Sequence, residues 1–232
     1  TKLSHIHFVA TKQAEKRVIK LGENPKHVFN VGCPYIDIIN SERKNKEVLI
    51  DLPSNFGIFT MHSVTTDLKE AKLHFIEVIK AIKIISKDFF IFAFIPNTDP
   101  GRNYILKKLK LLKNIKILNH LKSRDFLFLM KNAKFMFGNS SAGIREAASF
   151  KLPVLNIGSR QRGREHSNNV IHCGFNKEEI LKKIKFLITN VKFKRKLKNC
   201  RNIYGNGKSA EKIIKKLKQI DISSTILQKR FY

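Results

Sequence analysis

The sequence predicts an open α/β fold on a parallel sheet, Rossmann-like in kind. Three observations lead there. Short apolar runs alternate with longer amphipathic ones along most of the 232 residues, the pattern of βαβ units. The longest apolar run, Phe89 to Ile95, has the length of a strand and falls far short of a membrane span. Polar and small residues follow directly on several apolar runs, at the carboxyl ends of strands, where open α/β sheets bind their ligands.

The apolar runs place strands at Ile6–Ala10, Val28–Val31, Phe56–Met61, Phe89–Ile95, Ile115–Leu118, Phe135–Gly138 and Val154–Ile157. The amphipathic runs between them place helices at Gln13–Leu21, Lys69–Ile85, Asn103–Leu112, Ser123–Lys131, Ala142–Phe150 and Lys177–Thr189. Two more, Lys192–Asn202 and Ser209–Ile220, close the pattern. Asp125 to Met130 is ambiguous by period alone, and its polar flanks with Ala133 favour helix. A break falls at Asn40–Pro53, where a charged run from Ser41 to Glu47 has no apolar period and Pro53 precedes a fresh strand. Two strands and a helix before the break are too little for a domain. Residues 1–52 therefore read as the tail of an otherwise missing N-terminal Rossmann-like domain, 53–220 as a complete C-terminal one, and 221–232 as a tail. A start that is not Met and lies close to an apolar segment fits a chain whose front portion is absent.

The formal charge of +28 raises the question of nucleic acid. Lysine recurs in nearly every helical segment instead of gathering on one face, and zinc-finger, RNP-like and basic-heptad patterns are all missing. No nucleic-acid or membrane partner is expected. Cys33, Cys173 and Cys200 are scattered, odd in number and without metal spacing, which fits a reduced cytoplasm and no disulfide framework. Neither a metal nor a cofactor is expected.

The chemistry gathers at Gly138-Asn139-Ser140-Ser141-Ala142-Gly143-Ile144-Arg145-Glu146. A strand enters this turn and a helix leaves it, so hydroxyls and free N–H groups meet at a helix N-terminus, where an anion is stabilised. The order is not the Gly-x-Ser-x-Gly elbow of a nucleophile, and Ser140 and Ser141 read as an N-cap and a phosphate ligand. Glu146, one turn further in, can face the same ligand, or be an exposed helical carboxylate, or form an ion pair with Arg145 or Lys151. Arg160, Arg162 and Arg164 alternate through the next loop, as if one face reached a ligand, and guanidinium suits bidentate phosphate contact. His62 ends the strand from Phe56, with Thr65, Thr66 or Asp67 to cap the helix after it. It reads either as a phosphate contact or acid, or as a tie on its turn. Asn97 and Asp99 either build their turn or reach substrate. Phe126 and Phe128 offer rings to a base or to the core. Together these describe a nucleotide or nucleotide-sugar pocket.

Five segments, in order and spacing, resemble one family: Thr1-Lys2-Leu3-Ser4-His5, Gly32-Cys33-Pro34-Tyr35-Ile36-Asp37 as a Gly-x-Pro-x-x-Asp turn, His62-Ser63-Val64-Thr65-Thr66-Asp67, Gly138 to Glu146, and Arg160-Gln161-Arg162-Gly163-Arg164 with Asn169-Val170-Ile171. The chain is similar to the second half of the UDP-N-acetylglucosamine 2-epimerases, in particular the hydrolysing branch that releases N-acetylmannosamine for sialic-acid-type sugars. The resemblance implies two facing Rossmann-like domains of GT-B type, a UDP-sugar in the cleft, and a homodimer for the full-length protein. It implies that Phe126 lies against uracil, that Ser140, Ser141 and the amides near Gly143 hold the diphosphate, and that Glu146 binds ribose. It also implies that Arg160 meets the nucleotide and that His62 is a catalytic-site residue beside the phosphates, with Asn97 and Arg164 as candidate substrate or effector contacts. The family eliminates UDP to a 2-acetamidoglucal and then adds water, with acid/base carboxylates from the first domain, so none is assigned here. The rivals are the non-hydrolysing epimerase, a 2,4-diacetamido sugar variant, a GT-B glycosyltransferase and a non-catalytic UDP-binding half. Two residues depart from the family pattern. Ser63 stands where Pro is usual, and Lys151 where Gly is usual, at a turn preferring positive φ, a strain of about 1 kcal/mol.

Overall fold

The structure is a computed structural model and describes residues 1–42, 52–63, 68–98, 101–220 and 229. The chain divides into two compact units, Thr1–Lys46 with Asn202–Tyr232, and Glu47–Arg201.

In the first unit β1 (His7–Val9) and β2 (Val28–Asn30) pair in parallel, joined by α1 (Lys12–Lys20). Thr11 caps α1, its Oγ1 accepting the Ala14 N–H at 3.2 Å. Glu23, 1% exposed, is paired with His7 at 2.9 Å and Lys229 at 2.7 Å, which together hold its carboxyl below the ordinary range. Next comes α2 (Pro34–Glu42), where the sequence led us to expect only a turn. Pro34 opens it, at a position where a missing N–H costs nothing, and Ile36 and Ile39 bury one face.

The second unit is built on one six-stranded sheet. Its elements, in chain order, are β3 (Phe56–Thr60), α3 (Leu68–Ile85), β4 (Phe90–Phe94), α4 (Arg102–Leu109), β5 (Ile115–Leu118), α5 (Ser123–Asn132), β6 (Phe135–Gly138), α6 (Ser141–Arg145), β7 (Val154–Ile157), β8 (Val170–Cys173), α7 (Lys177–Thr189) and α8 (Val191–Lys198). The strand order is β5-β4-β3-β6-β7-β8, all parallel, so the chain winds outward from β3 in one direction and then from β6 in the other. Helices α3, α4, α7 and α8 cover one face, with Phe75, Ile82, Ile105, Ile180, Ile184 and Phe193 packed on Phe59, Phe135, Phe137 and Leu155. On the other face α6 lies so close that a Cβ on Gly143 would stand 2.9 Å from Val154 Cγ1.

The seven strands expected from apolar runs are all present. β8 was not expected, because Val170-Ile171-His172-Cys173 is an edge strand with too short an apolar run to stand out. The helix expected over Ala142–Phe150 breaks into α6 and a 3-10 turn at Ala147–Phe150. That turn ends in a Schellman closure: Lys151 N–H reaches Ala148 O at 3.1 Å and Leu152 N–H reaches Ala147 O at 3.1 Å. Lys151 sits at φ 55°, the strained left-handed position expected for it.

The chain ends its regular structure with α9 (Ser209–Leu217), which belongs to the first unit and not to the second as the sequence pattern placed it. The Asp37 carboxylate of α2 takes the first two N–H groups of α9, Ser209 at 2.9 Å and Ala210 at 2.8 Å. Cys33 N–H donates to Tyr204 O at 2.7 Å. The Gly32-to-Asp37 motif is thus a docking device for a distant helix.

Candidate functional site

Strands β3 and β6 are neighbours at the point where the winding direction reverses, the place beyond whose strand ends open α/β sheets bind their ligands. Gly138 closes β6 opposite Thr60 at φ 122°, and a Cβ on it would lie 2.0 Å from Thr60 O. No side chain fits there. Asn139 follows, 1% exposed, and its N–H continues the ladder to Thr60 O at 3.0 Å. Its side chain then clamps the backbone of His62. Oδ1 accepts the His62 N–H at 2.7 Å, and Nδ2 donates to His62 O at 2.9 Å.

The His62 ring is oriented from the β4 side. Asn97 N–H donates to His62 Nδ1 at 3.2 Å, so in the neutral ring the proton is assigned to Nε2. Asn97 therefore acts through its main chain, while its side chain is exposed.

Ser140 caps α6 as expected, its Oγ accepting the Ala142 N–H at 3.3 Å, and Ser141 is the first helical residue. Glu146 ends α6 and is only 9% exposed, which settles against an exposed helical carboxylate. Its Oε2 is buried with no hydrogen-bond partner, and burial pushes the carboxyl above its usual range against the opposing charges of Arg145 and Arg164. Thr60 Oγ1 and Gln161 Oε1 are likewise buried without a partner. Orphaned polar atoms at the carboxyl end of a parallel sheet are what a polar ligand would satisfy.

The loop after β7 differs from its expected form. Alternating arginines on one face require extended backbone, whereas Arg162 N–H turns back to Ser159 O at 2.8 Å and Arg164 N–H to Gln161 O at 3.2 Å. Arg160 reaches Asn139 O at 3.2 Å, and the inward residue is Gln161, 2% exposed, whose Nε2 donates to the same oxygen at 2.9 Å. Arg164 brings its charge towards Glu146.

The structure thus gathers His62, Ser140, Ser141, Gly143, Glu146, Arg160 and Arg164 around one strand junction. Phe126 stands apart on α5, half-buried, its ring edge-on to Phe94 at 5.1 Å near the end of β4. Thr65, Thr66, Asp67 and Asp99 lie outside the described residues. Sequence reasoning missed Asn139 and Gln161 as structural partners. It also missed a histidine pair, His166 Nε2 to His172 Nε2 at 3.0 Å, backed by Asn156 Nδ2 at 3.1 Å from His172 Nδ1. Among the described residues no group of three or more His, Cys, Asp or Glu is placed to hold a metal ion, and no helix is long and apolar enough to cross a membrane.

Comparison with known proteins decides the family. The family model for UDP-N-acetylglucosamine 2-epimerase matches residues 1–218. The chain belongs to that family. Among epimerase relatives, a hydrolysing UDP-N,N'-diacetylbacillosamine 2-epimerase of Legionella pneumophila is 34% identical over 99% of this chain. A UDP-N-acetylglucosamine 2-epimerase of Neisseria meningitidis is 35% identical over 78% of it. The chain spans 61% of the first relative and 49% of the second. In fold the chain is similar to the Methanocaldococcus jannaschii UDP-GlcNAc 2-epimerase in complex with UDP-GlcNAc and UDP, at TM-score 0.72 and 23% identity, covering 94% of this chain and 62% of that one.

Proposed function

We propose that the chain carries the UDP-binding portion of a hydrolysing 2-epimerase acting on a UDP-2-acetamido sugar. The reaction releases the free C2-inverted sugar and UDP, by elimination of UDP followed by hydration. The observation that carries this reading is the buried carboxylate of Glu146, its Oε2 without a hydrogen-bond partner, one turn of α6 beyond the Gly138–Ser141 turn and within the field of Arg145 and Arg164. Glu146 supplies a charged acceptor for ribose hydroxyls, in a place where two donors would relieve it. Ser140, Ser141 and the amides towards Gly143 take the diphosphate, with Arg160 adding charge. Phe126 offers a ring to the uracil.

In this reading the chain stabilises the leaving group. The diphosphate gains negative charge as the C1–O bond breaks, and fixed N–H groups, hydroxyls and a guanidinium are aimed where that charge develops. His62, with its proton on Nε2, is a donor to the departing phosphate oxygen. The carboxylate that removes the C2 proton is assigned to a further domain.

The relative named for UDP-N,N'-diacetylbacillosamine, which matches across 99% of the chain, supports a 2,4-diacetamido sugar as the substrate and the hydrolysing outcome. The test pairs the chain with a separately produced N-terminal domain and offers both UDP sugars. Free sugar plus UDP supports the hydrolysing reading, and an epimerised UDP-sugar replaces it with the non-hydrolysing one. UDP binding with no turnover leaves a non-catalytic binding half, and transfer to an acceptor sugar indicates a glycosyltransferase.

A further inference from the structure

We propose that Asn139 and Gln161 form a positioning relay that sets where His62 presents its Nε2–H, coupling that ring to the arginine loop; the inference rests on the reading of His62 given above. Asn139 spends both ends of its amide on a single residue, donating to His62 O at 2.9 Å and accepting from His62 N–H at 2.7 Å. A side chain thereby prolongs the β3–β6 ladder one residue past the strands, where the backbone alone would splay. Only a primary amide of this length does so. Aspartate has no donor for His62 O, and serine is too short to span both groups.

The relay continues outward through one peptide. The Asn139 carbonyl is held by Gln161 Nε2 at 2.9 Å and Arg160 Nη1 at 3.2 Å, both from the loop after β7. Asn139 and Gln161 are 1% and 2% exposed, so both work shielded from competing water. The next residue, Ser140, caps α6. Movement of Arg160 on meeting an anion thus reaches Asn139 directly and His62 through it. At the far end Asn97 N–H fixes the tautomer at Nδ1. Buried amides of this kind also serve simply to close a loop. That role predicts lost stability and an unchanged His62 ring.

The test is long-range proton–nitrogen NMR of the His62 ring in the full 232-residue chain, with and without UDP, for wild type, Asn139→Asp and Gln161→Met. In the wild type the Nδ1 signal is that of an unprotonated acceptor, and UDP shifts the Nε2 signal. Asn139→Asp is expected to mix the tautomers and move the ring's titration midpoint. Gln161→Met leaves Asn139 in place and tests the outer link, and its UDP-induced shift at His62 is expected to shrink by half or more. Circular dichroism identifies any variant that fails to fold, in which case the folded one decides. Wild-type tautomer and midpoint in a folded Asn139→Asp, or a full UDP-induced shift in a folded Gln161→Met, overturns the relay. Absence of UDP binding to the wild type refutes the nucleotide reading instead, and the ligand-free ring signals of Asn139→Asp still judge the clamp.

Discussion

Replacing Glu146 with glutamine keeps its shape, removes its charge, and should move stability and binding in opposite directions. The carboxylate is 9% exposed, with one oxygen buried and unpartnered, and burial raises its pKa against the pull of Arg145 and Arg164. Leaving a buried polar group unsatisfied costs about 1–3 kcal/mol, so relief of the charge is expected to stabilise the second unit by about 1 kcal/mol. For a domain of this size that raises the melting temperature by about 2–4 °C. The pH dependence has a definite sign. A carboxyl whose folded pKa lies above its unfolded value binds protons more tightly when folded, so stability falls as pH rises between the two. The advantage of Glu146→Gln is therefore full above the folded pKa and vanishes as pH falls below the ordinary carboxylate range. Binding moves the other way. A hydrogen bond to a charged group contributes about 1.5–3 kcal/mol and to a neutral one about 0.5–1.5, so UDP affinity should fall about tenfold. Melting curves from pH 4 to 8, with calorimetry of UDP at pH 8, measure both effects. A Glu146→Gln protein that melts below wild type at pH 8, or binds UDP as tightly, refutes the reasoning.

Three further substitutions probe the frame around the site. Gly138→Ala puts a Cβ 2.0 Å from Thr60 O at a φ of 122°, and denaturant titration should show a loss of roughly 2–5 kcal/mol, from left-handed strain and overpacking together. Asp37→Ala removes the cap from the first two N–H groups of α9, and should cost the first unit about 1–2 kcal/mol in urea while leaving UDP binding unaltered. Lys151→Gly relieves a left-handed lysine in a Schellman turn at the loss of its ammonium contact to Lys198 O, and the urea midpoint should rise by the equivalent of about 0.5–1 kcal/mol.

Much of this architecture is legible in the chain because periodicity reports burial. Thr60 apart, β3, β4 and β6 carry no polar side chain and are largely buried, as strands covered on both faces are. β8 escaped notice because an edge strand is wetted on one side, and His172 points outward from it. α2 escaped because Pro34, two residues after Gly32, signals a turn as readily as a first helical residue. The place of α9 depends on Asp37, 172 residues away, and no local pattern carries such a contact. At the site, Gly138 and the capping Ser140 follow from local rules of strand end and helix start. Gln161 does not. Between two arginines it reads as one more loop polar residue, and only the turns at Ser159 and Gln161 carry it inward.

Whether UDP is held at the β3–β6 junction is decided by calorimetric titration of UDP into the chain. The expected result is one UDP per chain with micromolar affinity, weakened by Glu146→Gln and Arg160→Ala. A folded chain that gives no binding heat with millimolar UDP, or variants that bind it as wild type does, would contradict it.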